Sequence, residues 1–129
     1  MRKQRKITRL GMLMVLKGRT MTDKRLVLST ASSQDEARRI ANVLVERGLA
    51  ACVNILPAMD SIYRWKDQLE EAEERLLLIK TTAAAFNAVC SAIQELHSYE
   101  VPECIALAIE DGSAAYMDWI AECVADPES

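Results

Sequence analysis

His97 is the single histidine in the chain, and imidazole is a good ligand for copper and zinc. Six positions later, Glu103 follows Pro102 and precedes an apolar run. One imidazole with one carboxylate is a weak metal site by itself, and water or a second subunit would have to complete it. The other reading of His97 is an imidazole near a helix C-terminus, where partial positive charge is favoured. Glu103 in turn could accept backbone hydrogen bonds instead of binding a cation. Tyr63 and Trp65 share one face of an extended segment, and Lys80 ends the next. They read either as interface packing, where aromatic residues are enriched, or as a pocket wall with a cationic floor. His97, Tyr99 and Lys80 hold groups capable of acid–base work, yet their spacing requires none. The sequence has no glycine-rich phosphate loop, nucleophile elbow or paired metal motif, so a non-enzymatic protein is expected. Glu70, Glu71, Glu73 and Glu74 read as a solvated charge run that could bind hard cations weakly. Cys52, Cys90, Cys104 and Cys123 show no Cys-x-x-Cys spacing. They read as reduced, buried filler.

The elements that would position these residues centre on residues 50–82. Ser61, Tyr63 and Trp65 alternate with Ile62 and Arg64, a strand pattern of period two. Leu76–Ile79 is continuously apolar and suits a strand covered on both faces. A polar turn at Lys66-Asp67-Gln68 joins the two arms into a long hairpin, and the second arm runs from about Glu70 to Thr81. A helix over Leu69–Ile79 is the alternative, since Glu, Ala, Arg and Leu are good helix formers. Pro57 has no N–H to donate, so the first arm should divide into Ala51–Leu56 and Ser61–Lys66 around a bend. Arg25–Ala31 reads as the first strand. Ser33 and Glu36 have capping-box spacing, Ala37, Ile40, Ala41 and Leu44 follow at helical intervals, and Gly48 suits a left-handed C-terminal cap. Thr82 is placed to cap a second helix with Phe86, Val89, Cys90, Ile93 and Leu96 on its inner face. Cys104–Ile109 is a last strand. Ser113 caps a final helix carrying Tyr116, Trp119, Ile120 and Cys123. The order is an α+β, ferredoxin-like βαββαβ sandwich with a long β-hairpin and a C-terminal helix. Its first strand and the hairpin's second arm would be central. An overhanging aromatic edge invites pairing with another chain, so oligomerisation is expected.

At 129 residues the chain fits one domain, and 50% hydrophobic content argues against disorder. Residues 1–20 hold seven Lys or Arg and no acid, whereas residues 21–129 hold 9 basic against 19 acidic side chains. Residues 1–22 are therefore expected to be a basic, disordered N-terminal extension, and residues 23–126 the folded domain. Leu10–Leu16 barely reaches the apolar length of a signal peptide, lacks a small-residue cleavage site after it, and is too short to span a membrane. The acidic body points to no nucleic-acid partner and no membrane partner, and is compatible with attraction of cations. A cytoplasmic protein is expected.

Several motifs occur together and in order: Cys52-x-Asn54, Pro57, Ser61-x-Tyr63-x-Trp65, Lys80-Thr81 and Tyr99-x-x-Pro102-Glu103. From about Leu26 to Val124 the chain resembles the CutA family of divalent-cation tolerance proteins. The resemblance implies a ferredoxin-like subunit in a compact homotrimer, with hairpins interlocking much as in PII-type signalling proteins. It implies a function in tolerance of divalent metal ions, copper foremost. A small-molecule sensor of PII type is the alternative, and an enzyme using an intersubunit cleft the more distant one. Metal ligands proposed in the family fall on Ser29, His97 and Glu103. Ser29 stands where the family pattern has cysteine, Asp67 where glycine is usual, and Ser98 where proline often follows the histidine. The implied cleft lies between subunits, lined by His97, Tyr99 and Glu103, with Tyr63, Trp65 and Lys80 as wall. Copper should bind there more tightly than zinc, and binding should fade below the ordinary histidine pKa of about 6.5.

Overall fold

The computed structural model describes residues 22–125. Residues 1–21 of the basic segment and the last expected residue of the domain lie outside the described residues. The elements run β1 (Lys24–Ala31), α1 (Gln34–Glu46), β2 (Cys52–Ile55), β3 (Met59–Trp65), β4 (Gln68–Thr82), α2 (Phe86–Leu96), β5 (Ile105–Ala108) and α3 (Ala114–Cys123). The five strands form an antiparallel sheet of order β2-β4-β1-β5, and β3 pairs with the far half of β4. The first strand and the hairpin's second arm are central, as the ferredoxin-like topology demands.

The hairpin decides the shape of the domain. β4 is 15 residues long, which at the usual rise is about 50 Å of extended chain. Its second half is built into the sheet, pairing with β1 from Thr82↔Lys24 to Arg75↔Ala31 and with β2 from Lys80↔Cys52 to Leu77↔Ile55. Its first half pairs only with β3, from Glu74↔Met59 to Gln68↔Trp65. The helical alternative for Leu69–Ile79 is therefore excluded. Pro57 falls between β2 and β3, so its missing N–H removes no ladder bond. The turn is two residues, not three, because Gln68 already pairs with Trp65. Lys66 (φ 50°) and Asp67 (φ 65°) both adopt the left-handed conformation, the pattern of a type I′ turn, whose twist matches that of the strands it joins.

The α helices cover one sheet face. Odd-numbered Val27, Ser29 and Ala31 of β1 and Leu77, Ile79 and Thr81 of β4 point into that core and are fully buried. They meet Ile40 and Leu44 of α1 and Val89 and Ile93 of α2. Each fully buried aliphatic side chain of this size contributes about 1.5–3 kcal/mol. Ile120 of α3 anchors a second cluster with Ala51, Ala85 and Val124, while Tyr116 and Trp119 remain exposed.

Local capping follows the sequence with two corrections. Ser33 caps α1, its hydroxyl accepting from the Glu36 N–H at 3.1 Å, but the Glu36 carboxylate does not return to Ser33; it takes the N–H and the hydroxyl of Ser32, both at 2.8 Å. The helix ends in a Schellman pattern. Gly48 has φ +71°, its N–H bonds to Val45 C=O at 3.0 Å, and Leu49 N–H reaches Leu44 C=O at 2.9 Å. Thr82 does not cap α2 directly. Its hydroxyl accepts from Ala85 N–H at 3.2 Å and closes a turn, and the helix starts at Phe86 with no side-chain cap.

Candidate functional site

The overhanging hairpin and the loop after α2 enclose a cleft of about 670 Å³. Tyr63 and Trp65 of β3 form one wall with Met59 and Ser61, Thr30 and Leu76 form the floor, and Tyr99, Val101 and Glu103 form the other wall. Tyr63 and Trp65 share a wall because strand residues two apart share a face. Both are 42% exposed.

Three glutamates line this space: Glu74, Glu103 and the exposed Glu100. Glu74 was expected in water with Glu70, Glu71 and Glu73, but it is only 7% exposed. The β4 alternation puts it on the same face as Leu76, and the Tyr99 hydroxyl donates to its Oε2 at 2.7 Å. Burial first, then that hydrogen bond and the Glu74 charge, push the Tyr99 hydroxyl well above the ordinary tyrosine range. Glu103 sits at the solvent-exposed mouth of the cleft. Partial loss of hydration, then the Glu74 charge, push its carboxyl up. Solvent softens both effects at an exposed residue, so the direction is what matters. A second negative charge nearby disfavours ionisation, and a bound cation would relieve that cost.

Ser29 and His97 lie behind this wall. The Ser29 hydroxyl donates to the Glu103 backbone C=O at 2.7 Å and so holds the segment on which Glu103 stands. The His97 side chain is fully buried. Its Nε2 lies 2.6 Å from the Thr30 C=O, and its Nδ1 accepts from the Tyr99 N–H at 3.0 Å. A carbonyl only accepts and an N–H only donates, so this pattern describes a neutral imidazole protonated at Nε2. With both nitrogens engaged, the ring has no lone pair free for a metal. The imidazole also lies against the Tyr99 ring, centroids 4.6 Å apart and planes tilted by 42°. Ser29 and His97 thus serve as hydrogen-bonded supports behind the Glu103 segment and the Tyr99 loop, and the three expected ligands are not brought together as open donors. Among the described residues no group of three or more His, Cys, Asp or Glu side chains could hold a metal ion. The oxygen donors of Glu74 and Glu103 suit a cation better, and they supply only part of a ligand shell.

Lys80 stands outside the cleft. It pairs across the ladder with Cys52 and bonds to the Asn54 side-chain oxygen, its Nζ 3.8 Å from Cys52 Sγ. Glu36 is the residue that sequence reasoning reduced to a cap. Its carboxylate reaches across to the Ser98 N–H at 2.7 Å and lies 3.6 Å from His97 Nδ1. Nothing local in the sequence signals a contact 62 residues away. Glu74 was findable, since its parity with Leu76 and Leu78 places it on a half-covered face.

The fold and cleft define an α+β, ferredoxin-like domain with an overhanging hairpin and an acidic cleft at its base. Residues 25–123 match the family described as CutA1 divalent ion tolerance protein, and the chain belongs to that family. It is 50% identical over 97 residues to the divalent-cation tolerance protein CutA of Thermus thermophilus, covering 75% of this chain and 94% of that one. It is 45% identical over 95 residues to a CutA homolog of Xenopus laevis, covering 74% of this chain and 63% of that longer protein. Among solved structures, CutA from Xylella fastidiosa superposes with a TM-score of 0.79 at 39% identity, covering 81% of this chain and 100% of that one.

Proposed function

We propose that this member of the divalent-cation tolerance family works by binding divalent metal ions, copper foremost, as a cytoplasmic homotrimer and not by catalysis. The observation that carries the reading is the pair of carboxylates, Glu74 and Glu103, facing one cleft, with Glu103 pushed up in pKa by its surroundings and by the Glu74 charge. A cation between them exchanges that repulsion for attraction. Ser29 and His97 act here by holding the Glu103 segment and the Tyr99 loop in place. Water or a neighbouring subunit completes the ligand shell. Self-association is supported by the apolar side chains left bare on the hairpin and edge strand, including Ile62 at 66%, Ile105 at 51% and Leu107 at 48% exposed. The four free cysteines accord with a reducing compartment.

The test is calorimetry with Cu(II) and Zn(II) on wild type, Glu103→Gln and His97→Ala, each first checked as a trimer by light scattering. Copper should bind more tightly than zinc, following the usual divalent order. Glu103→Gln should lose on the order of tenfold or more in affinity, since one ligand charge is gone. Wild-type affinity should fall as pH drops through the raised Glu103 pKa, because only the ionised carboxylate ligates. Unchanged affinity in the folded Glu103→Gln trimer would refute this site. That result would favour a PII-like small-molecule sensor, a reading supported by the aromatic wall of Tyr63, Trp65 and Tyr99 around a 670 Å³ cleft.

A further inference from the structure

We propose that Cys90 and Cys104 are a redox modification site, closing reversibly into an intramolecular disulfide that clamps the loop forming one wall of the cleft. Cys90 lies in α2, and Cys104 directly precedes β5. Their sulfurs are 2.7 Å apart as thiols, only about 0.7 Å beyond a covalent S–S bond. Both are half-buried, not sealed in the core, so a small reagent has a route to them. The other two cysteines sit elsewhere: Cys52 beside Lys80 and Asn54, and Cys123 at the end of α3.

The enclosed segment gives the pair its consequence. Residues 90–104 include His97, Tyr99 and Glu103, the last bonded through its carbonyl to Ser29 and adjacent to Cys104. A covalent tie between α2 and the start of β5 therefore fixes both ends of the loop that carries the cleft wall.

The chemistry is thiol–disulfide exchange with a low-molecular-weight disulfide. Either cysteine, as its thiolate, attacks one sulfur of R–S–S–R, forms a mixed disulfide and releases the first thiolate. The neighbouring cysteine, 2.7 Å away, then attacks the protein sulfur of that mixed disulfide, its proton passing to solvent base, and the second thiolate leaves. Both thiolates take up the protons the cysteines gave. The two cysteines are oxidised, and the small disulfide is reduced to two thiols.

The experiment treats the purified, pre-reduced full-length chain with oxidised glutathione at neutral pH, then alkylates it and maps the peptides by mass spectrometry. The expected result is loss of two of the four thiols, a peptide joining Cys90 to Cys104, full reversal by dithiothreitol, and a melting temperature raised by roughly 5–15 °C. Cys104→Ser should stop at a glutathione adduct on Cys90, because the thiol that resolves it is missing. The wild-type measurement stands even if that variant folds poorly. The proposal is overturned if the folded chain retains all four thiols under conditions where the urea-unfolded chain cross-links. A cross-link that falls on Cys52 or Cys123 instead would overturn it equally.

Discussion

Replacing Glu36 by glutamine should destabilise the domain by about 3 kcal/mol at pH 7 and by much less in acid. The side chain is 4% exposed. Burial by itself would push the carboxyl up. The N–H and hydroxyl of Ser32 and the N–H of Ser98 outweigh it and hold the group at about 2, against an ordinary 4.5. At 1.36 kcal/mol per pH unit, that difference corresponds to about 3 kcal/mol of preference for the ionised form in the folded state. Glutamine keeps the shape but turns an NH₂ toward donors, leaving at least one buried N–H unpaired, a loss of about 1–3 kcal/mol on the same scale. A folded pKa below the unfolded one stabilises fully above pH 4.5 and is lost as pH falls toward 2. The gap between wild type and Glu36→Gln should therefore be widest at neutral pH and should close in that window. Urea unfolding at fixed protein concentration, followed by tryptophan fluorescence from pH 7 to 3, measures it. A gap below about 1 kcal/mol at pH 7, or one constant across the whole range, would refute the assignment of these hydrogen bonds to an ionised carboxylate.

Two further substitutions test the core and the hairpin. Leu77→Ala empties a fully buried position on the central strand and should cost about 2–5 kcal/mol in urea unfolding; a cost under about 1 kcal/mol would mean that the site is not packed as described. Asp67→Gly relieves a φ of 65° at the hairpin tip and should stabilise by about 0.5–1 kcal/mol. A destabilised variant would show that the Asp67 side chain contributes more than its backbone strain costs.

Local pattern carried far in this chain. Alternation of Ser61, Tyr63 and Trp65 against the apolar run Leu76–Ile79, with a polar turn between, was enough for the hairpin, because strand parity and turn conformation are set within a few residues. The cap at Ser33 and the left-handed Gly48 were legible for the same reason. The central position of β1 and β4 followed from element order. Strand boundaries were off by one or two residues where pairing partners, and not propensity, decide the last ladder bond, as at Gln68 and Met59.

What tertiary structure alone decided is the state of each polar group. In sequence His97 reads either as a metal ligand or as a helix-end imidazole; in the fold Thr30, 67 positions away, takes one ring nitrogen while the loop folds Tyr99 back onto the other. Glu74 looks solvated in an acidic run until the Tyr99 loop closes over it. Glu36 looks like a helix cap until Ser98 arrives from the far side of the fold. Cys90 and Cys104 have no motif spacing, but α2 returning to β5 brings their sulfurs together. Periodicity reports which face of its own element a residue occupies. Whether a hydroxyl, a carbonyl or a thiol waits opposite depends on the crossovers that bring distant elements together, and those contacts decide which donors stay free for a cation.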